Sequence, residues 1–154
     1  MTITKTSHLS PFQSQQIDKL WNEEYPEKLK DRFGVLLEGT DNFQHYLIED
    51  ENKKIIAWLV IFEKEQEKRF SIIVDSKHKG KGLGCLLINR LKEEVDEFYG
   101  WVIDHGNDKK INGENYRSPL PFYVKQGFKI LEDVRIDSEM INAVKVQWGK
   151  INER

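Results

Sequence analysis

The chain has 154 residues, which fits one domain because a single core is comfortable at ~100–200 residues. Hydrophobic residues at 38% against 32% charged exclude a disordered chain, and 24 Lys and Arg against 26 Asp and Glu leave no global basic field for a nucleic-acid partner. The lone cysteine, Cys85, allows no intramolecular disulfide, and neither a signal-like apolar core nor a run of ~18 apolar residues is present, so a cytoplasmic protein with no membrane partner is expected.

Ile3 opens a short alternating stretch. Ser10-Pro11-Phe12-Gln13 reads as a capping box with proline at the first helical position, and Ile17, Leu20 and Trp21 carry a helix to about Tyr25, where Pro26 breaks it. Residues 26–38 are predicted as a second helix, with Leu29, Phe33, Leu36 and Leu37 on one side and Gly39 as its stop. From Phe43 the period changes to two, and FQHYLIED, KIIAWLVIFEKE and KRFSIIVD predict an antiparallel meander.

The loop DSKHKGKGLG then leads into CLLINRLKEEVDEF. There Leu83, Leu87, Leu91 and Val95 recur every four residues while Arg90, Lys92 and Glu93 face out, so one amphipathic helix is predicted through Phe98. Trp101-Val102-Ile103 reads as a short strand, 104–118 as a polar loop, and 119–126 as a helix stopped by Gly127. Residues 128–136 and 143–148 read as two final strands. The sum is an α+β fold of order β-α-α-β-β-β-α-β-α-β-β, a mixed, mostly antiparallel central sheet flanked by helices.

Gly80, Gly82 and Gly84 alternate between a strand and a helix start. Glycine admits positive φ and close backbone approach, and a helix start offers free N–H groups at the positive dipole end, so the product is an anion site suited to phosphate. A dinucleotide fingerprint would need glycine where Cys85 stands, and the Gly-Lys-Ser/Thr ending of a nucleotide-hydrolysing loop is missing. The meander reading also leaves no parallel βαβ setting for those ligands.

At these residues the sequence resembles the GNAT superfamily of acyl-CoA N-acyltransferases. Lys77-His78-Lys79-Gly80-Lys81-Gly82 falls on the family's Gln/Arg-x-x-Gly-x-Gly/Ala run with lysine in first place, and Phe122-Tyr123-Val124-Lys125-Gln126-Gly127-Phe128 falls on its Phe-Tyr-x-x-x-Gly-Phe signature. With the element order, the resemblance covers nearly the whole chain as one N-acetyltransferase domain, residues 1–154. The chain departs from the family's Asn-x-x-Ala run through a longer segment, 107–118, containing no such spacing.

The resemblance implies acetyl-CoA as cosubstrate, its pyrophosphate on the amides of Lys79, Gly80, Lys81, Gly82, Leu83 and Gly84 and its pantetheine arm along Ile72, Ile73 and Val74. It further implies a bulge in that strand, freeing an N–H for the thioester oxygen, and a Tyr123 hydroxyl that donates a proton to the departing thiolate. An alkylamine acceptor of pKa ~10 needs a base. Asp104 and His105 are the favoured candidates, with His45 and Glu63 or a water relay as alternatives. Cys85 at the helix start is read as a packed side chain rather than a nucleophile. Trp58, Trp101, Tyr46 and Tyr116 are candidates for an amine pocket. No metal is expected, since the histidines at 8, 45, 78 and 105 lack ligand spacing.

The expected activity is N-acetylation of a primary amine by direct attack in a ternary complex. Its rivals are a noncatalytic acyl-CoA-binding module and acyl transfer to a hydroxyl. The acceptor's identity and self-association into a homodimer stay open.

Overall fold

A computed structural model describes residues 2–150. One seven-stranded sheet is built from β1 (Ile3–Thr6), β2 (Asp41–Glu49), β3 (Ile55–Lys64), β4 (Glu67–Val74), β5 (Glu97–Val102), β6 (Lys129–Asp137) and β7 (Asn142–Gly149), in the order β1-β2-β3-β4-β5-β7-β6. Helices α1 (Pro11–Glu24) and α2 (Phe33–Leu36) lie on one face, and α3 (Leu83–Glu94) and α4 (Leu120–Lys125) on the other.

Interior strand β3 explains this layering. Its side chains alternate across the sheet, so Leu59 and Ile61 pack with Leu87 and Leu91 of α3, while Trp58, Val60 and Phe62 pack with Ile17, Leu20 and Trp21 of α1. Each fully buried side chain of this kind contributes ~1.5–3 kcal/mol. The capping box starts α1 as expected: Gln13 N–H donates to Ser10 Oγ at 3.1 Å and Ser10 N–H to Gln13 Oε1 at 2.8 Å.

Three sequence expectations change. Residues 26–38 do not form one helix: a single 3-10 turn at Glu27–Leu29 is followed by Asp31 at φ 62 before α2 begins. Asn22 on α1 sets that break, accepting Asp31 N–H at 2.7 Å, while Trp21 Nε1 donates to Leu29 O at 2.7 Å; long-range partners replace the helical ones. The third helix ends at Glu94, not Phe98, because Val95 is already extended and Phe98 is needed in the core as part of β5. Finally, β4 and β5 pair in parallel through Arg69 and Tyr99, so β4-α3-β5 is a crossover unit. Nucleotide ligands therefore remain disfavoured by the glycine pattern alone.

Candidate active site

The sheet opens where β4 leaves β5. Arg69 opposite Tyr99 is their one paired position, yet β4 keeps its register with β3 up to Val74 and β5 with β7 up to Val102. Beyond that pair the two strands part, and the buried ring of Phe70 lies against Gly100 where the parting begins. A cleft of about 720 Å³ occupies the gap.

The gap exposes backbone donors. Asp75 N–H donates to Ile56 O at 2.9 Å, which fixes the phase of the β3–β4 ladder: residues 71, 73 and 75 exchange bonds with β3. Ile72 and Val74 then direct N–H and C=O away from β3 towards the gap, and the Tyr25 hydroxyl reaches Ile72 O at 3.3 Å. The expected bulge in this strand is absent, since the β3–β4 register runs unbroken from Ala57–Val74 to Lys64–Glu67. Separation from β5 frees the donors instead. Ile73 bonds to β3 and contributes only its side chain to the cleft.

At the head of the gap stands the glycine loop. Gly80 (φ 84) and Gly82 (φ 77) are left-handed, Gly82 caps α3, and a Cβ on either would meet nothing within 4 Å. These two glycines serve the left-handed backbone shape, and the space a side chain would take at either is open. Gly84 has another reason: a Cβ there would approach Phe122 Cζ at 3.2 Å, so the first turn of α3 and the aromatic pair of α4 interlock. His78, Lys79, Gly80, Gly82, Leu83 and Gly84 line the cleft with Ile72, Ile73 and Val74, whereas Lys81 and Lys77 do not. Asp75 shapes the approach to the loop, accepting Lys77 N–H at 2.9 Å.

Tyr123 lines the same cleft and is 6% exposed, its ring 5.8 Å from Phe70 and 5.2 Å from Phe128. Among the described residues no protein group hydrogen-bonds its hydroxyl. Burial, followed by the neighbouring phenols of Tyr25 and Tyr116, holds its pKa well above the ordinary phenol value, so it is a protonated donor at any physiological pH.

The candidate bases are placed elsewhere. Asp104 is clamped by Arg135 through two bonds of 2.9 and 3.0 Å, which hold its carboxyl below the usual range, and it does not line the cleft. His105 also lies outside the lining, with Nδ1 accepting Asn107 N–H at 3.1 Å. His45 is 2% exposed in the opposite part of the core and accepts from Trp58 Nε1 at 3.0 Å; burial lowers its pKa to about 4. Glu63 accepts from Asn42 beside a separate surface groove. Of the four pocket aromatics, Trp101 and Tyr116 line the cleft, while Trp58 and Tyr46 are core. Cys85 also lines it, donating to Gln126 Oε1 at 3.7 Å and accepting from Asn89 at 3.4 Å.

Glu24, Tyr25 and Arg117 line the cleft without having been found in the sequence. Glu24 is 8% exposed, accepts Ser76 N–H at 2.9 Å and pairs with Lys110 at 3.4 Å, tying the end of α1 to the glycine loop. The long segment 104–118 is strapped to the same end of α1: Glu27 N–H donates to Lys109 O at 2.8 Å, and Lys28 pairs with Asp108 at 3.1 Å. A charged residue in the last turn of an amphipathic helix, on its buried side, was the only sequence signal for Glu24.

The acetyltransferase (GNAT) domain family matches residues 41–130, from β2 to the start of β6, and the chain belongs to that family. No curated protein sequence matches the chain. Among solved structures it is similar to Escherichia coli ElaA, at 18% identity and TM-score 0.68 over 96% of this chain and 99% of that one. It is also similar to the ribosomal-protein-alanine N-acetyltransferase of Brucella melitensis, at 16% identity and TM-score 0.65 over 97% and 100%. A phosphinothricin acetyltransferase from Sinorhizobium meliloti in complex with AcCoA matches at 13% identity and TM-score 0.58 over 97% and 89%. At such identities the likeness is one of fold. Among the described residues no helix is long and apolar enough to cross a membrane.

Proposed function

We propose that the chain acts as one N-acetyltransferase domain, taking acetyl-CoA as cosubstrate and an amine as acceptor in a ternary complex. The observation that carries this reading is the parting of β4 from β5 directly below the left-handed glycines of the loop. One opening thereby joins an anion cradle, free strand donors and a buried phenol.

Acetyl-CoA, when bound, supplies an activated acyl group on a thiol leaving group. The amides between Lys79 and Gly84 hold its pyrophosphate at the positive end of α3, with Lys79 adding charge. The N–H groups of Ile72 and Val74 line the path of the arm, and one of them donates to the carbonyl oxygen as it gains charge. Such a donor is worth ~3–4 kcal/mol in other enzymes. Tyr123 donates its proton to the sulfur as the thiolate leaves. Asp104 and His105 are given no direct contact with the acceptor because neither lines the cleft, and the ammonium proton passes to water in its open mouth.

Titration calorimetry with acetyl-CoA, followed by thiol release across an amine panel, tests this reading. Binding with release is expected. Tight binding without release for any amine favours a noncatalytic acyl-CoA-binding module, and release with alcohols alone favours acyl transfer to a hydroxyl.

A further inference from the structure

The charge of the cleft lining is lopsided. Lys64, Arg69, Lys79 and Arg117 line it against one carboxylate, Glu24. Glu24 is taken up by Ser76 N–H and Lys110, and Arg69 by Glu67 at 2.9 Å. Lys79 sits in the glycine loop. That leaves Arg117 and Lys64, neither of which has an ion-pair or hydrogen-bond partner among the described residues.

The two remaining cations are far from the phosphate cradle or outside it. Lys64 stands opposite Glu67 in the backbone register of β3 and β4, at the other end of β4 from Val74 and so a strand span of ~20 Å from the loop at ~3.3 Å per residue. Arg117 lines the cleft in the segment leading to α4, next in sequence to Tyr116, whose ring packs with Tyr25, Ile103 and Ile141, all of which line the cleft too. An acceptor here meets an apolar body-sized surface with unpaired positive charge at its rim. It meets no free carboxylate for a second ammonium.

We propose that the acceptor is a monoamine that also carries a carboxylate on an apolar body, as an apolar amino acid does, and that Arg117 holds the carboxylate. This rests on the N-acetyltransferase reading and deepens it. The guanidinium fork pairs with a carboxylate through two parallel bonds and so orients the amine as well as attracting the acid. Lys64 adds field of the same sign at the distal end. Polyamines and lysine-like acceptors are disfavoured, because their second cation would face Arg117 with nothing to neutralise it.

The test measures kcat/KM at fixed acetyl-CoA for leucine and phenylalanine, their amides, their decarboxylated counterparts isoamylamine and phenethylamine, and spermidine. The free acids are expected to exceed every acceptor that lacks a carboxylate, whether amide, monoamine or polyamine. Arg117→Gln is expected to raise KM for the acids by ~10-fold or more, leaving KM for the amides and the Kd of acetyl-CoA unchanged. Amides, monoamines or spermidine turning over as well as the acids would overturn the inference while leaving the acetyltransferase reading intact. An Arg117→Gln variant that weakens acetyl-CoA and leaves acceptor KM alone would reassign Arg117 to the cosubstrate and overturn it too. Thiol release from none of the acceptors would remove both readings together.

Discussion

The ring of Phe70 fills the volume that any side chain at residue 100 would need: a Cβ on Gly100 would stand 2.6 Å from Phe70 Cε1 and 2.9 Å from its Cζ. Phe70 has little room to retreat, with Phe98, Tyr123 and Phe128 centred 5.5, 5.8 and 5.6 Å away. The residue after the last β4–β5 pair is thus shaped by a glycine on the opposite strand.

Gly100→Ala is accordingly expected to destabilise the fold by ~1–3 kcal/mol, the range for overpacking a tight core. Urea denaturation reads this as a lower midpoint at unchanged slope. Because the displaced ring borders the cleft, acetyl-CoA affinity should fall as well. A midpoint equal to that of the wild type would mean that the aromatic cluster yields freely.

At the glycine loop, conformation and space separate. Gly82→Ala places a Cβ in open space but in a left-handed backbone, at a cost of ~1–2 kcal/mol. Gly82→Glu adds a negative charge beside the cradle and should abolish acetyl-CoA binding in calorimetry on folded protein. Equal affinity in the glutamate variant would take the loop out of the site.

His45 gives the protein an acid sensitivity unrelated to catalysis. Its pKa falls from 6.5 to about 4 on burial, so on acidification the unfolded chain takes up the proton first. Stability is therefore complete above pH ~6.5 and lost as pH falls towards 4. His45→Gln should flatten that part of the stability profile in thermal melts from pH 7 to pH 4. An equally steep loss in the variant would place the sensitivity elsewhere.

Much of this was legible in the residues. The element order followed from hydrophobic period and capping, and the two motifs are brought into contact by Gly84 and Phe122. What local pattern does not encode is pairing between distant strands. The charged run 93–97 reads as continued helix, yet Phe98 is drawn into the core and starts β5 early. The parallel Arg69–Tyr99 pair and the gap beyond it depend on contacts thirty residues apart in sequence, and so does the free backbone at Ile72 and Val74. Asp104 and His105 follow a cleft strand in sequence, but Arg135 on β6 draws Asp104 aside.

That pairing makes a further outcome checkable. Asp104→Asn and His105→Ala should keep the wild-type pH–rate profile, since neither side chain lines the cleft. Losing the solvent-screened Asp104–Arg135 pair should change stability little. The Asp104 carboxyl is held below its ordinary pKa, so this contribution is present at neutral pH and disappears as pH falls through the lowered value. Rate losses at neutral pH that recover at high pH would instead make one of them the base.

The most direct measurement is kcat and acetyl-CoA affinity for Tyr123→Phe. Phenylalanine keeps the ring among Phe70, Phe122 and Phe128 and removes only a hydroxyl that bonds to no described protein group, so the variant should fold as the wild type does. With the donor to the leaving sulfur gone, kcat should fall ~10²–10⁴-fold while the Kd of acetyl-CoA stays unchanged. A variant with wild-type kcat, under conditions where single-turnover kinetics show chemistry to be rate-limiting, would contradict the account and return Tyr123 to the hydrophobic core.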